Sequence, residues 1–341
     1  MNNNIIKSYI HIGVDKCGSS SLQNFFSQNI DLKNFSNRSL KYYCLTSNGL
    51  LKSSEIKKIS KNLPNGYISS LGLLKLKEFS CSQFDAFRSE NSKNKNDLIY
   101  SCEGWYRGLR DKDLFLKLCN SLEGSINREL NFLAFIRSPV LWINSAWWQW
   151  GAWQNNNNDE FEKWLENSIL NVRWYRYFSK FKSDNKKHKL IIKPLRDNII
   201  SDVLNILDIK NIVKSNQNLN KSLPIEVLKF YLSNPQIKAN IHQNKYDHLL
   251  LNIMKKINIK FKKSPWILNK DNIRLILSNT EDSNKKILEL LNEKDRKYIL
   301  NDPTWWDLEY YKNHKTYSPF LKEYSLEKDL SELFTNVISK A

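Results

Sequence analysis

Short apolar segments recur along the first part of the chain, separated by longer stretches whose apolar residues are spaced as on one face of a helix. β-Branched and aromatic residues dominate the short segments, a composition typical of strands buried on both faces of a parallel sheet. Four segments have this character: Tyr9–Val14, Asp97–Cys102, Leu130–Ile136 and Lys189–Lys193. Tyr42–Leu45 is a fifth, shorter strand candidate.

The stretches between these strands predict helices, because their apolar residues recur every three or four positions. The predicted helices cover residues 51–63, 71–79, 113–122, 140–153 and 160–178, then 197–207, 224–233, 240–256, 283–299 and 326–338. Polar loops are predicted over 89–96 and 155–158. Strands that alternate with helices form parallel sheets with right-handed crossovers. We therefore expect the α/β class, as a three-layer α/β/α fold with a central parallel sheet of four to five strands and a largely helical C-terminal part.

The chain of 341 residues is expected to form a single domain. A repeat or a clear linker would argue for several domains, and the sequence shows neither. Residues 1–210 would form an α/β core and residues 211–341 a mainly helical extension.

One stretch, Ser8–Phe26, combines a strand, a glycine turn and the start of a helix. Gly13 and Gly18 free the backbone for a tight turn, and the serines at 19–21 suit a helix N-terminus. A helix N-terminus presents unpaired N–H groups and a positive dipole end to an anion, and Lys16 adds a full charge. The stretch therefore predicts a phosphate cradle.

The charge balance agrees with an anionic ligand without identifying it. The formal net charge is +18, which favours a small anion, an acidic polymer or an anionic surface. Much of this excess is lysine in a chain rich in Asn, Lys and Ile, so compositional drift accounts for it equally well.

The cysteines and the apolar runs bear on compartment. The five cysteines lack C-x-x-C spacing and no histidine cluster accompanies them, so neither a disulfide framework nor a metal site is expected. The N-terminus shows no signal-peptide pattern, and no apolar run reaches the roughly 18 residues of a membrane span. We expect a cytoplasmic protein without a transmembrane segment, which leaves peripheral membrane contact open.

The position of the lysine in the loop separates two kinds of nucleotide chemistry. A Walker A loop places its lysine directly after the second glycine, followed by a Ser or Thr that binds magnesium. Here the order is Gly13-Val14-Asp15-Lys16-Cys17-Gly18-Ser19-Ser20, so the lysine precedes the second glycine. This order argues against Walker chemistry.

A second group of polar residues follows the third long strand. Arg137-Ser138-Pro139 leaves the strand end, and Ser145 lies eight residues after Arg137, two turns into the predicted helix. The planar guanidinium suits a phosphate dianion, and a hydroxyl adds one more donor. Taken alone, an arginine paired with a carboxylate and a solvated serine would give the same pattern.

Together the two motifs resemble those of sulfotransferases that use 3′-phosphoadenosine-5′-phosphosulfate, which have a P-loop NTPase-like fold. In that family the 5′-phosphosulfate loop reads G-x-x-K-[ST]-G-[ST]-[ST], and the 3′-phosphate site reads R-[DS]-P followed by a serine at the same offset. The resemblance implies a donor site that needs no metal, made of Lys16, Cys17, Gly18, Ser19, Ser20, Ser21, Arg137 and Ser145. Cys17 departs from the family pattern, because it stands where a Thr or Ser is usual.

The resemblance also implies the catalytic groups. Lys16 would stabilise the charge that develops on the leaving phosphate, and adenosine 3′,5′-bisphosphate would be the product. A strand ending S-S-E is found in similar bacterial sulfotransferases, and here it reads Ser101-Cys102-Glu103. Glu103 would take the proton of the acceptor hydroxyl. His11 and Glu123 are weaker candidates for this base.

The acceptor is expected to be a hydroxyl of a glycan or glycolipid. Tryptophans crowd the helix after Arg137, at 147, 148, 150 and 153, and recur at 305 and 306. Some would stack on a sugar ring or on adenine and the others would pack in the core. The segment Asn220–Leu223 resembles one that closes over the nucleotide in similar sulfotransferases.

Two other functions stay open at this point. A P-loop kinase or another nucleotide-dependent phosphotransferase would bind ATP with magnesium. A basic nucleic-acid-binding protein would use the Lys and aromatic content, although the sequence holds no known nucleic-acid module. We expect no nucleic-acid partner.

Overall fold

The fold rests on a six-stranded sheet in which five strands are parallel. In a computed structural model, the structure describes residues 5–63, 65–126, 128–153, 158–184, 188–209, 223–238, 246–257, 265–320, 323 and 326–340. Its described strands are β1 (Lys7–His11), β2 (Leu32–Lys33), β3 (Ser39–Tyr42), β4 (Cys44–Thr46), β5 (Gly49–Leu51), β6 (Asp97–Ser101), β7 (Glu129–Ile136) and β8 (Lys189–Pro194). The sheet order is β2-β3-β6-β1-β7-β8, with only β2 antiparallel, and β4 and β5 form a separate hairpin. The predicted α/β class and parallel central sheet are confirmed.

The strand bearing the lysine loop lies in the middle of the sheet. β1 pairs in parallel with β6 on one side and with β7 on the other. Every residue of β6 is buried, as expected for a strand covered on both faces. Because parallel strands end at the same edge, the segments after β1, β6 and β7 emerge side by side.

Helices make up most of the remaining structure. Before β8 the described helices are α1 (Ser19–Gln28), α2 (Ser53–Ser60), α3 (Leu73–Lys77), α4 (Cys81–Ser92), α5 (Lys112–Glu123), α6 (Pro139–Gln149), α7 (Asn158–Asn171) and α8 (Tyr175–Asp184). After it come α9 (Ile199–Ile206), α10 (Ile225–Ser233), α11 (Asp247–Lys256), α12 (Lys270–Ile287), α13 (Glu293–Asn301) and α14 (Lys328–Ile338). The largely helical C-terminal part is confirmed, since the described residues after 209 form no strand.

Helices from two sides fit the expected three layers. The chain moves from β1 to β3 in one direction along the sheet and from β6 to β7 in the other. Right-handed crossovers in opposite directions place α1 and α5 on opposite faces. Accordingly, α1 packs against α2 and α9, whereas α5 packs against α4.

The polar loop predicted over 89–96 is wrong in its first half, because α4 continues to Ser92. A capping box formed by Ser80 and Gln83 starts this helix, and Phe84, Phe87 and Asn91 form its buried face. The Asn91 amide donates to the Ser121 carbonyl at 2.8 Å and accepts from the Tyr100 hydroxyl at 2.5 Å. Asn91 is polar but is paired inside the core, so its residue type alone led to the wrong prediction of a loop.

Two predicted helix boundaries are also wrong. The helix predicted over 160–178 is two helices, because the chain breaks between α7 and α8, where Trp174 is fully buried. The helix predicted over 283–299 is split as well. There α12 ends at Ile287, and α13 starts after Asn292, whose side chain accepts from the Asp295 N–H at 2.9 Å. Side chains that cap or anchor a new helix thus interrupt a continuous apolar period.

The chain forms two compact units, each made of three separate segments. The first comprises Met1–Arg137, Trp174–Asn220 and Lys285–Ile299, and it contains the six-stranded sheet. The second comprises Ser138–Arg173, Lys221–Asn284 and Leu300–Ala341, and its described part is helical. The single domain with a core over 1–210 and an extension over 211–341 stays a prediction.

A buried ion cluster at the end of β8 fixes the backbone that leads to α9. Asp295 is fully buried, and its carboxylate lies 2.7 Å from the Lys193 ammonium and 2.7 Å from the Arg196 guanidinium. Arg196 also pairs with Asp202 at 3.1 Å on α9. A buried carboxylate that neutralises two cations joins α13, β8 and α9.

Replacing Asp295 should destabilise the protein strongly. Asp295→Ala leaves two cations without their buried partner, and we expect a loss of about 3 kcal/mol or more in the free energy of unfolding. Urea unfolding followed by circular dichroism measures this loss.

Glu293 on the same helix provides the matched control. Its carboxylate pairs with Lys297 at 2.7 Å, and both side chains are exposed. Because exposed ion pairs contribute little, Glu293→Ala should cost about 0.5 kcal/mol. Equal losses in the two variants would mean that the buried cluster does not hold this corner.

Candidate functional site

Three adjacent strands bring the main predicted residues to one edge of the sheet. β6 ends two residues before Glu103, β1 runs into the loop that carries Lys16, and β7 ends directly before Arg137. The pKa of Lys16 responds to the charges of both Glu103 and Arg137, so the three groups lie within electrostatic reach. The structure thus brings together residues that are far apart in sequence.

The loop after β1 is a tight turn with an unusual backbone. The Cys17 N–H donates to the Val14 carbonyl at 3.2 Å, which closes the turn. Lys16 adopts a φ of +60° and Gly18 a φ of +87°, both in the left-handed region. Glycine adopts this region freely, whereas a lysine there costs about 1 kcal/mol. The turn holds Lys16 in this conformation.

Backbone hydrogen bonds join this loop to the segment after β6. The Gly104 N–H donates to the Gly13 carbonyl at 2.8 Å, and the Tyr106 N–H donates to the Ile12 carbonyl at 2.9 Å. A Cβ at Gly13 would lie 2.7 Å from Ser19 Oγ and 3.0 Å from Glu103 Cα. Position 13 therefore needs glycine, because the two segments approach too closely for a side chain.

The start of α1 has backbone N–H groups and a serine hydroxyl that could bind an anion. Gly18 is the N-cap and no side chain caps the helix. The first hydrogen bond of the helix runs from the Leu22 N–H to the Gly18 carbonyl at 3.2 Å, so the N–H groups before it have no partner within the helix. Ser19 Oγ is buried and has no hydrogen-bond partner among the described residues. Such an orphaned hydroxyl beside a free helix terminus fits a phosphate ligand.

The other predicted loop residues differ in what they can offer. Ser20 Oγ accepts from the Tyr67 hydroxyl at 3.1 Å, and Ser21 lies half-buried in the first turn of α1. Cys17 is fully buried, and burial raises the pKa of its thiol. Its N–H is used in closing the turn, and its thiol lies in the protein interior.

Lys16 combines partial burial with charged neighbours. Burial lowers the pKa of its ammonium group to about 8, Glu103 opposes this decrease, and Arg137 adds to it. A bound anion would raise the pKa of Lys16 again, because an opposite charge favours the charged form of the ammonium group.

Glu103 forms a carboxyl pair with Asp15, a residue that the sequence analysis did not assign to the site. The two side chains share a hydrogen bond. Burial raises the pKa of Glu103 to about 8, with the Asp15 charge and this hydrogen bond adding to the shift. Lys16 and Arg107 reduce the shift without cancelling it. Burial and the neighbouring carboxylate therefore both favour the protonated form of Glu103.

Two donors hold Asp15 in place from the segment after β6. The Arg107 guanidinium forms a short ion pair with Asp15 Oδ2, and the Tyr106 hydroxyl donates to the same oxygen at 3.2 Å. Arg107 Nε also donates to the Tyr106 hydroxyl at 3.0 Å. Asp15 occupies the second variable position of the G-x-x-K loop, and an acidic residue there was the sequence signal for this network. Its partners, Tyr106 and Arg107, are remote in sequence.

The two predicted residues of the 3′-phosphate motif lie in different units. Arg137 is half-buried at the end of β7, and its carbonyl accepts from the Trp174 indole at 2.8 Å. Its positive charge lowers the pKa of both Lys16 and Cys17. Ser145 is half-buried on α6, in the second unit.

The structure explains why the two weaker base candidates are unsuitable. His11 is buried in β1, its Nδ1 lies 2.8 Å from Ser101 Oγ, and burial lowers its pKa to about 3. Glu123 pairs with His188 at 3.1 Å, at the end of α5 and just before β8. That pair lies at the amino edge of the sheet, opposite the lysine loop.

Several of the predicted tryptophans pack in the core. Trp147 and Trp148 are buried, and their indole N–H groups donate to the carbonyls of Pro319 and Pro265 at 2.7 and 2.8 Å. Trp305 is buried as well, whereas Trp150 and Trp153 are half-buried. Residues 220–222 of the segment predicted to close over the nucleotide lie outside the described residues.

Two searches of the described residues concern metals and membranes. No group of three or more His, Cys, Asp or Glu side chains there is arranged to hold a metal ion. Within the same residues, no helix combines the length and the apolar character needed to cross a membrane.

Comparison with known proteins adds no family to this picture. No protein-family model and no curated protein matches the chain. Any function assigned to the chain therefore depends on its own residues.

The unpartnered hydroxyl of Ser19 leads to a stability prediction. A buried polar group without a hydrogen bond costs free energy, so Ser19→Ala should raise the free energy of unfolding by about 1 kcal/mol in the absence of any anion. Urea unfolding in a buffer free of phosphate and sulfate measures the change.

Ser27, on the same helix, is the matched control. It is fully buried, and its hydroxyl accepts from the Ile68 N–H at 3.2 Å. Ser27→Ala should therefore lower the free energy of unfolding by about 1 kcal/mol or more. A destabilised Ser19→Ala variant would show that the Ser19 hydroxyl has a partner within the protein.

Proposed function

We propose that the protein is a sulfotransferase that moves a sulfuryl group from 3′-phosphoadenosine-5′-phosphosulfate to an acceptor hydroxyl. The observation that carries this proposal is the meeting of Lys16, Glu103 and Arg137 at the carboxyl ends of three adjacent strands. Ligands of open parallel sheets bind at this edge. A cation on a glycine turn, a carboxyl group and a second cation are the groups that this transfer requires.

The loop and the start of α1 would hold the 5′-phosphosulfate. The free N–H groups of the first turn and the orphaned Ser19 hydroxyl offer donors, and Ser20 and Ser21 lie in the same turn. Gly13 lets the loop lie against the Glu103 backbone, and Gly18 leaves room for the Ile199 side chain. Lys16 would stabilise the charge that develops on the oxygen between phosphorus and sulfur.

Lys16 also argues against a Walker-type kinase. It adopts a left-handed backbone conformation inside the turn, ahead of Gly18, rather than following the second glycine. Asp15, the acidic residue closest to it in the chain, accepts from Arg107 and Tyr106. This pairing suits an internal network better than a magnesium site.

Glu103 would act as the base. A carboxyl group with a pKa of about 8 is a stronger base than an ordinary glutamate once it is ionised. The reaction then depends mainly on positioning and on preorganised charge, and the proposed mechanism uses no metal.

Arg137 would bind the 3′-phosphate that distinguishes this donor from ATP. Its positive charge lowers the pKa of Lys16, and a bidentate contact of a guanidinium suits a phosphate dianion. Ser145 as its companion and Cys17 as a member of the donor site stay predictions from the family resemblance.

A glycan or glycolipid hydroxyl remains the proposed acceptor class, and the cytoplasm the proposed compartment. The half-buried Trp150 and Trp153 are the described tryptophans of the 147–153 group that retain exposed surface for a sugar ring. All five cysteines are free thiols, which suits a reducing compartment.

Ligand-dependent thermal stability tests the donor assignment. Adenosine 3′,5′-bisphosphate should raise the Tm more than adenosine 5′-monophosphate does, and more than ATP with magnesium does. Arg137→Ala should abolish the preference for the bisphosphate over the monophosphate, because only the 3′-phosphate distinguishes them. Lys16→Ala should lower kcat by about a hundredfold or more in a labelled-sulfate transfer assay.

Lys75→Ala is the control for the loss of a lysine. Lys75 is exposed, and among the described residues its only ion pair is with Glu78, the C-cap residue of the same short helix. Its replacement should therefore change neither the Tm shift nor the rate. A larger Tm shift with ATP and magnesium would favour a phosphotransferase. Full donor binding and turnover in both Lys16→Ala and Arg137→Ala would overturn the sulfotransferase proposal.

A further inference from the structure

We infer that Asp15 is a positioning residue for Glu103: its carboxylate holds the Glu103 carboxyl group by a hydrogen bond and places a negative charge against it. The catalytic role of this pair rests on the proposed function, whereas the contact between the two side chains rests on the geometry of the loop. The sulfotransferase motif treats position 15 as variable, so the motif assigns no role to Asp15.

Asp15 is itself fixed from outside the loop. It is buried, and its Oδ2 accepts from both the Arg107 guanidinium and the Tyr106 hydroxyl. Tyr106 is fully buried and packs edge-on against Tyr177 with ring centroids 4.9 Å apart. The aspartate thus has little freedom to turn away from Glu103.

The backbone fixes the other half of the pair. The Gly104 N–H bonds the Gly13 carbonyl at 2.8 Å, one residue after Glu103 and two residues before Asp15. The absence of a side chain at Gly13 lets Glu103 Cα approach the loop. The two carboxyl groups therefore meet because their backbones are hydrogen-bonded, independently of any ligand.

A hydrogen bond between two carboxyl groups requires a proton, because an ionised carboxyl group can only accept. Asp15 already accepts from Arg107 and Tyr106 at Oδ2, so the geometry assigns this proton to Glu103. The described charged groups that face Glu103 are Asp15 and Lys16 from the loop and Arg107 from the segment after β6. Arg137, from the end of β7, faces Lys16.

Before sulfuryl transfer, Glu103 must lose its proton to water so that it can act as a base. The ionised Glu103 then takes the proton of the acceptor hydroxyl while the acceptor oxygen bonds to sulfur. The bond from sulfur to the bridging oxygen breaks, and its electron pair stays on the 5′-phosphate, which leaves beside Lys16 as adenosine 3′,5′-bisphosphate. Asp15 would hold Glu103 in place while Glu103 is protonated, and its negative charge would make the ionised Glu103 a stronger base.

Direct titration of Glu103 tests the inference without any substrate. In protein labelled with ¹³C at the glutamate carboxyl carbon, the resonance missing from Glu103→Gln identifies this residue. We expect a midpoint at about pH 8 in the wild type. Asp15→Asn removes the neighbouring charge and should lower the midpoint by about one pH unit or more, a tenfold change in the dissociation constant.

Two further variants test the direction of the shift in the Glu103 midpoint and its recovery when the charge at position 15 is kept. Arg107→Gln removes a cation that favours the ionised form, so the midpoint should rise. Asp15→Glu keeps the charge and should leave the midpoint closer to the wild-type value than Asp15→Asn does. Glu78→Gln, which removes an exposed carboxylate at the C-cap of α3, should have no effect on the midpoint.

The pH profile of transfer is the second measurement. Below its midpoint Glu103 is protonated, so kcat/KM should fall about tenfold per pH unit on the acid side in the wild type. In Asp15→Asn the acid limb should move to lower pH together with the NMR midpoint, and kcat on the plateau should decrease. The Kd for adenosine 3′,5′-bisphosphate should stay within about threefold of the wild-type value.

The outcomes separate the inference from the proposed function. An unchanged or raised Glu103 midpoint in Asp15→Asn, or a lowered one in Arg107→Gln, would overturn the role of Asp15. If the midpoints shift as expected but the wild type transfers no sulfuryl group, the sulfotransferase proposal fails and Asp15 still governs the ionisation of Glu103. If the midpoint shifts while the acid limb does not, Glu103 is not the base and the inferred catalytic role fails.

Discussion

Backbone hydrogen bonds between the loop after β1 and the segment after β6 are the constraint on which the site depends. They require glycine at position 13, and they bring the lysine of one segment to the carboxyl group of the other. Without them, Lys16 and Glu103 would each be a charged side chain at a separate strand end. The functional groups therefore come together through main-chain pairing.

This closeness explains why the charges in the site cannot be considered one at a time. Lys16 and Glu103 are both pushed towards their neutral forms by burial, and each partly restores the charge of the other. The charge of Arg137 lowers the pKa of Lys16, and the charge of Asp15 raises the pKa of Glu103, so both charges favour the neutral forms. An arriving dianion would bias this balance towards a charged lysine, so donor binding and the ionisation of the site are thermodynamically linked.

Sequence patterns could predict the main strands, their parallel arrangement and the strand-end positions of Lys16, Glu103 and Arg137. These follow from local apolar runs and from the geometry of parallel sheets. The network around Asp15 could not be predicted, since Arg107 and Tyr106 reach it only through tertiary contacts. The break between α7 and α8 was missed for a similar reason. The apolar period continues through it, and only the burial of Trp174 shows why the helix stops.

The burial of Cys17 has a consequence for how such loops are recognised. Its side chain packs inside the protein and its N–H closes the turn, so the interior demands a small side chain at this position. A small side chain satisfies that demand whether it ends in a thiol or in a hydroxyl. Sequence patterns that insist on Thr or Ser here would pass over this chain, whereas a pattern weighted by residue size would retain it.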